Sequence, residues 1–171
     1  DKNIINEIAE KSGLSPEYVQ ESAELSPKKG LFAYAFAGRD ITGKSIEDIV
    51  YEAQRKVILE LADKESCVII GRNADYILKD FPNVLNVFIY ADYEQRLSNC
   101  ISDLHLYPEE AKHLMNNVDK ARRLYHKFYT GCDFDGIAGK HILIDSGAFG
   151  LDGSVALLKK AASQKFVLSN P

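Results

Sequence analysis

Two arginine-bearing segments and one glycine-lysine-serine loop hold the residues best placed to do chemistry in this sequence. Gly71-Arg72-Asn73 directly follows the apolar run Cys67-Val68-Ile69-Ile70. A glycine there permits a tight turn, and the arginine beyond it can offer a phosphate two parallel hydrogen bonds from a permanently charged fork. The plainer alternative is a surface arginine paired with Asp75. Val118 to Gly131 (VDKARRLYHKFYTG) is the densest polar stretch, with Asp119, Arg122, His126 and Tyr129 at helical spacing on one stripe. Lys120, Arg123 and Lys127 form a basic stripe beside it. Such a run is either a solvated helix face with local ion pairs or a basic lid that neutralises polyphosphate charge, with Asp119 orienting an arginine. Arg96, four residues after Asp92, is either a third cation near the same strand ends or a helix-surface partner of Asp92.

Gly38 to Ser45 (GRDITGKS) fits the phosphate-loop pattern G-x-x-x-x-G-K-[ST], with Lys44 as the phosphate cation and Ser45 as the magnesium ligand. That reading needs a buried strand running into the first glycine. Leu31 to Ala37, which carries three aromatics and no valine or isoleucine, is a weak strand. His105, His113, His126 and His141 lack metal-binding spacing and read as surface or helix residues, so no metal site is expected. Cys67, Cys100 and Cys132 form no C-x-x-C pair, which argues against a disulfide framework or a zinc site and fits a reducing, cytoplasmic setting. Cys67 reads as core.

The elements that position these residues follow from hydrophobic spacing. An amphipathic helix runs over Asp1 to Gly13, and Ser15-Pro16-Glu17 starts a short second one. Leu25 to Gly43 is irregular. From Ser45, a capping-box-like start with Asp48 leads a helix to about Lys64. Cys67 to Ile70 has the wholly apolar character of a strand buried on both faces, and a helix follows from Ala74 to Lys79. Leu85 to Ala91 is a second strand, and Asp92 caps the helix carrying Arg96. Pro108 opens a long helix to about Tyr129, His141 to Ser146 is the last strand, and Asp152 to Ala162 is the closing helix. Strands alternating with helices predict an α/β fold, a parallel sheet with helices on both faces. Ligands then collect at the carboxyl ends of the strands, at Gly71-Arg72, Ala91-Asp92 and Ser146-Gly147.

The whole chain of 171 residues reads as one domain, with 46% hydrophobic and 27% charged residues arguing against disorder. A net charge of −4 gives no global attraction to nucleic acid or anionic lipid, so neither is an expected partner, and no apolar run is long enough for a membrane span. The sequence leaves open whether the chain forms a homo-oligomer.

Cys67 to Leu78 (CVIIGRNADYIL), Leu85 to Arg96 and the pattern D-K-x-R-x-x-Y-x-x-[FY]-Y at Asp119 to Tyr129 resemble the cytidylate kinase-like proteins, a branch of the P-loop nucleoside monophosphate kinases. The resemblance covers nearly the whole chain, with 108–130 as a helical lid. It implies transfer of the ATP γ-phosphoryl group, with Mg2+, to CMP or a related nucleotide. It further implies that Arg72 grips the acceptor phosphate, that Arg122 bridges donor and acceptor phosphates with Asp119 holding it, and that Asp1 contacts the acceptor nucleoside. Arg96 and Arg123 join these as substrate-binding cations, and Tyr125 has a packing or stacking role. In the family, the glycine-rich phosphate loop lies upstream of the segment matching Asp1, and Gly38 to Ser45 falls in the acceptor-binding region. The expectation is therefore a natural protein that extends upstream. The rival readings are a non-catalytic nucleotide-binding regulator of the same fold and a P-loop NTPase using Gly38 to Ser45.

Overall fold

The computed structural model describes residues 2–13, 15–17, 19 and 45–167. Helix α1 (Lys2–Ser12) is followed by α2 (Ile46–Lys64), α3 (Ala74–Ile77), β1 (Val87–Tyr90), α4 (Tyr93–Leu104), α5 (Pro108–Thr130), β2 (Ile142–Asp145) and α6 (Ser146–Val167). Asp1, Leu25 to Gly43 and Lys44 lie outside the described residues, and with them most of the GRDITGKS loop.

The helices begin where their caps dictate. Ser45 accepts a hydrogen bond from the Asp48 amide at 3.1 Å and donates to the Asp48 carboxylate at 2.8 Å, which opens α2. Asp92 accepts from the Gln95 amide at 2.8 Å and opens α4. Pro108 starts α5, where the missing amide hydrogen is no loss, and Gly131 ends it at φ +72°, a left-handed conformation that glycine adopts at little cost. Each cap satisfies backbone groups that would otherwise be orphaned at a helix end.

Three apolar clusters hold the elements together. Ile8, Ala9 and Val19 pack with Val50, Ala53 and Val57, joining α1 to α2, and the Lys11 ammonium adds an ion pair to Glu60 across that interface. Ile58 on the next stripe of α2 packs with Ala74, Ile77 and Leu78. Leu97 meets Ala111 and Met115 between α4 and α5.

Strands β1 and β2 pair in parallel, with Val87 opposite Ile142 and Tyr90 opposite Asp145. Parallel neighbours need a long crossover, and here it runs through α4 and α5. The described residues therefore have α/β character, largely helical around a two-stranded parallel sheet. One expectation is corrected. Cys67 to Ile70 joins no ladder among the described residues, and it is not buried on both faces. Ile69 packs into the Ile58 cluster, while Val68 is 92% and Ile70 78% exposed, and Cys67 is exposed as well. Of these four side chains only Ile69 is drawn against α2.

Candidate functional site

Beyond the carboxyl end of β1 lies a cavity of about 150 Å³, lined by Tyr90 and Ala91 of the strand end, Arg96 of α4, and Asp119, Arg122 and Arg123 of α5, with Phe134 and Asp135 closing it. α4 leaves the strand through the Asp92 cap and presents Arg96 one turn in. α5 packs on α4 through Ala111 and Met115, and this brings its residues 119–123 over the strand end. The volume is below the ~300 Å³ at which pockets for drug-sized ligands begin, so the space suits one small anionic group rather than a whole nucleotide.

The charges in the cavity do not balance. Nη2 of Arg96 donates to both carboxylate oxygens of Asp119, at 2.7 and 2.6 Å. Arg123 pairs with Asp135 at 3.3 Å. Arg122 has no carboxylate within 4 Å among the described residues, so of the three guanidiniums it is the one that no described carboxylate balances. Two expectations change in detail. Asp119 holds Arg96 rather than Arg122. Arg96 is not the partner of Asp92, whose carboxylate is committed to the α4 cap.

Arg72 sits in a different environment. Gly71, Arg72 and Asn73 all take positive φ (+66°, +61° and +53°), a left-handed turn in which only the first residue is glycine. Asparagine tolerates this region, but arginine pays about 1–2 kcal/mol to enter it. The turn is nevertheless buried, Arg72 being 8% and Asn73 3% exposed, so Arg72 is not the surface partner of Asp75 that the plainer reading expected. Asp75 instead lies 3.5 Å from Nε2 of His126, which is buried with its other ring nitrogen 3.1 Å from the Cys132 carbonyl. Arg72 does not line the cavity; its backbone carbonyl is joined to α5 through a buried glutamine. The side-chain nitrogen of Gln54, on α2, donates to the Arg72 carbonyl at 3.0 Å and to the Tyr125 hydroxyl at 3.3 Å. Tyr125 is three residues past Arg122 on α5 and contacts the rings of Tyr51 and Tyr129, the packing role foreseen for it.

The other stretches singled out earlier fall elsewhere. Lys127 pairs with Asp133 and holds that carboxyl below the usual carboxylate range. At the end of β2, Asp145 accepts from the amides of Gly147 and Ala148, so the opening amides of α6 are satisfied internally. Ser45 spends its hydroxyl on the α2 cap. A wider groove of about 720 Å³ runs along α2 between Asp48, Tyr51, Arg55 and Tyr129, and none of the cavity arginines lines it. Tyr51 and Tyr129 stack there with ring centroids 3.9 Å apart.

Sequence reasoning missed Gln54, Asn73 and Asp135. Gln54 carried a readable signal, a polar residue on the apolar stripe Val50, Val57, Leu61 of α2. No such signal marks Asn73, whose buried carboxamide has neither polar atom partnered.

Comparison with known proteins adds three findings. A search of curated proteins gave no match. Among solved structures, the crystal structure of an uncharacterized protein from Eubacterium ventriosum is similar, with a TM-score of 0.66 at 24% identity over 94% of this chain and 89% of that one. That likeness concerns the fold alone. The model of the cytidylate kinase-like family matches residues 1–148 and so takes in the left-handed turn, the strand end and the arginines of α5; this chain belongs to that family.

Proposed function

We propose that the protein is a nucleoside monophosphate kinase that moves the γ-phosphoryl group of ATP to CMP or a related nucleotide. Kinase-like function follows from family membership. The observation that carries the specific reading is the cavity at the end of β1, where Arg122 has no carboxylate among the described residues while Arg96 and Arg123 have one each. Phosphoryl transfer asks a protein mainly for positioning and for neutralising charge on the transferring group. In this reading Arg122 meets the phosphoryl oxygens as they gain charge. Arg96, locked by Asp119, and Arg123 shape the same space, Arg72 grips the acceptor's phosphate, and Asp1 contacts its nucleoside.

Among the described residues no cluster of three or more acidic, histidine or cysteine side chains gathers. Mg2+ would arrive bound to the phosphates of ATP, as it commonly does in such enzymes. The sheet would be wider than two strands, of the P-loop NTPase kind, with 67–70 as a further strand. No described helix is long and apolar enough to cross a membrane.

The test is a coupled assay of ADP release from Mg-ATP with CMP, dCMP, UMP and AMP, run on the full-length protein. Acceptor-dependent ADP formation supports the reading. Nucleotide binding without ADP release moves the protein to the regulator class. ATP hydrolysis that needs no acceptor and is abolished by Lys44→Ala makes it a P-loop NTPase using Gly38 to Ser45.

A further inference from the structure

The two arginines on which phosphate handling rests belong to separate elements, and one carboxamide touches both neighbourhoods. Gln54 is 1% exposed, in the middle of α2. Its side-chain nitrogen has two hydrogens, and each has an acceptor: the carbonyl of Arg72 at 3.0 Å and the hydroxyl of Tyr125 at 3.3 Å. The first acceptor is the backbone of a residue held at φ +61°, in a turn of three successive left-handed residues. Such a turn persists only where surrounding contacts over-determine it. Other bonds of the turn run from the Ala74 amide to the Gly71 carbonyl and from the Tyr76 and Ile77 amides to the Asn73 carbonyl. The second acceptor lies one helical turn beyond Arg122 on α5. A hydrocarbon of the same size in this place would leave the Arg72 carbonyl without that donor and would remove the hydrogen bond to α5, leaving the ring contacts of Tyr51 with Tyr125 and Tyr129 and the Tyr129–Asp48 bond between α2 and that part of α5.

From this geometry we infer that Gln54 is a positioning residue that sets the Arg72 turn and fixes its spacing to the helix carrying Arg122. It touches no reacting atom and acts only through those two arginines. Its role in phosphate handling rests on the kinase reading above; its role as a clamp does not.

The experiment therefore has two arms. In the first, backbone amide exchange is measured without ligand in wild type and in Gln54→Met, a near-isosteric change that removes both donors. The Ala74 and Ile77 amides should lose protection by about 10-fold, the cost of one buried hydrogen bond. Unchanged protection there overturns the clamp. The second arm titrates CMP by calorimetry in a cycle of Gln54→Met and Arg72→Ala. Gln54→Met should weaken CMP binding about 10-fold in the wild-type background and less than about 2-fold once Arg72 is gone, because residues that act as a unit are not additive. Equal losses in both backgrounds would make Gln54 a structural residue only and overturn the inference.

Tyr125→Phe keeps the ring contacts and removes only the hydroxyl, which covers the case in which Gln54→Met fails to fold. Protection of the turn should be unchanged, while kcat falls about 5-fold with KM for CMP constant, since this variant loosens α5 and not Arg72. A constant kcat overturns the link to α5. If wild type binds none of CMP, UMP or AMP yet Gln54→Met still frees the turn, the clamp stands and the kinase reading falls.

Discussion

Arg122→Ala removes the one cavity cation that no described carboxylate balances, and the size of its effect follows from Coulomb attraction in that cavity. A unit charge about 4 Å from a phosphoryl oxygen contributes about 4 kcal/mol at an effective dielectric of about 20. Water reaching the open side of the cavity reduces that to about 2–3 kcal/mol, or on the order of 100-fold in kcat/KM. Arg123→Ala is the internal control. Its guanidinium is already paired with Asp135, and both side chains are more than half exposed (58% and 55%), so water screens the charge released by the mutation. A loss below about 10-fold is expected there. Arg122→Lys should fall between the two, because it keeps the charge and loses the planar fork. The readout is acceptor-dependent ADP release at limiting CMP, with thermal melting to confirm that each variant folds. A wild-type-like rate in Arg122→Ala, or a larger loss in Arg123→Ala than in Arg122→Ala, would refute the charge argument.

Asp119→Asn frees Arg96 from its bidentate partner, and a melting temperature a few degrees lower together with a raised KM for CMP checks whether that pair orders the cavity. Ile58→Ala, at a fully buried core position, should cost about 3 kcal/mol, read as a fall of about 6–12 °C in melting temperature for a domain of this size. Burial pushes the Tyr51 phenol above its ordinary value of 10.0 against the opposing pull of Arg55. Because the folded value is raised, the stability tied to the neutral phenol is intact below pH 10 and is lost as pH rises through the folded value. An absorbance titration should show a late-ionising tyrosine that disappears in Tyr51→Phe, and a Tyr51 that ionises with the exposed tyrosines contradicts the packing described.

Local signals in the sequence were enough to place most elements. The Ser45 and Asp92 caps, Pro108 at the head of α5 and the short apolar runs of β1 and β2 each act within a few residues, so they can be read from the chain alone. Cys67 to Ile70 could not be settled that way. An apolar run looks the same whether one face or both are covered, and only the exposure of Val68 and Ile70 separates the two cases. The candidate site divides along the same line. Asp119, Arg122 and Arg123 are recognisable because they lie on adjoining stripes of one helix. The choice of Arg96 as the partner of Asp119 spans 23 residues of chain and depends on how α4 lies against α5. The Gln54 relay is longer still, joining α2 to residues 18 and 71 positions away. Contacts of that kind are set by packing between elements and leave only indirect traces, such as a glutamine on an apolar stripe.

The most direct test of where the phosphates sit is a crystal structure of the full-length protein with an adenosine-cytidine bisubstrate analogue whose phosphate chain joins the two nucleosides. A phosphate oxygen is expected within about 3 Å of the Arg122 guanidinium at the end of β1. A phosphate chain seated elsewhere, with Arg122 facing only solvent, would contradict it.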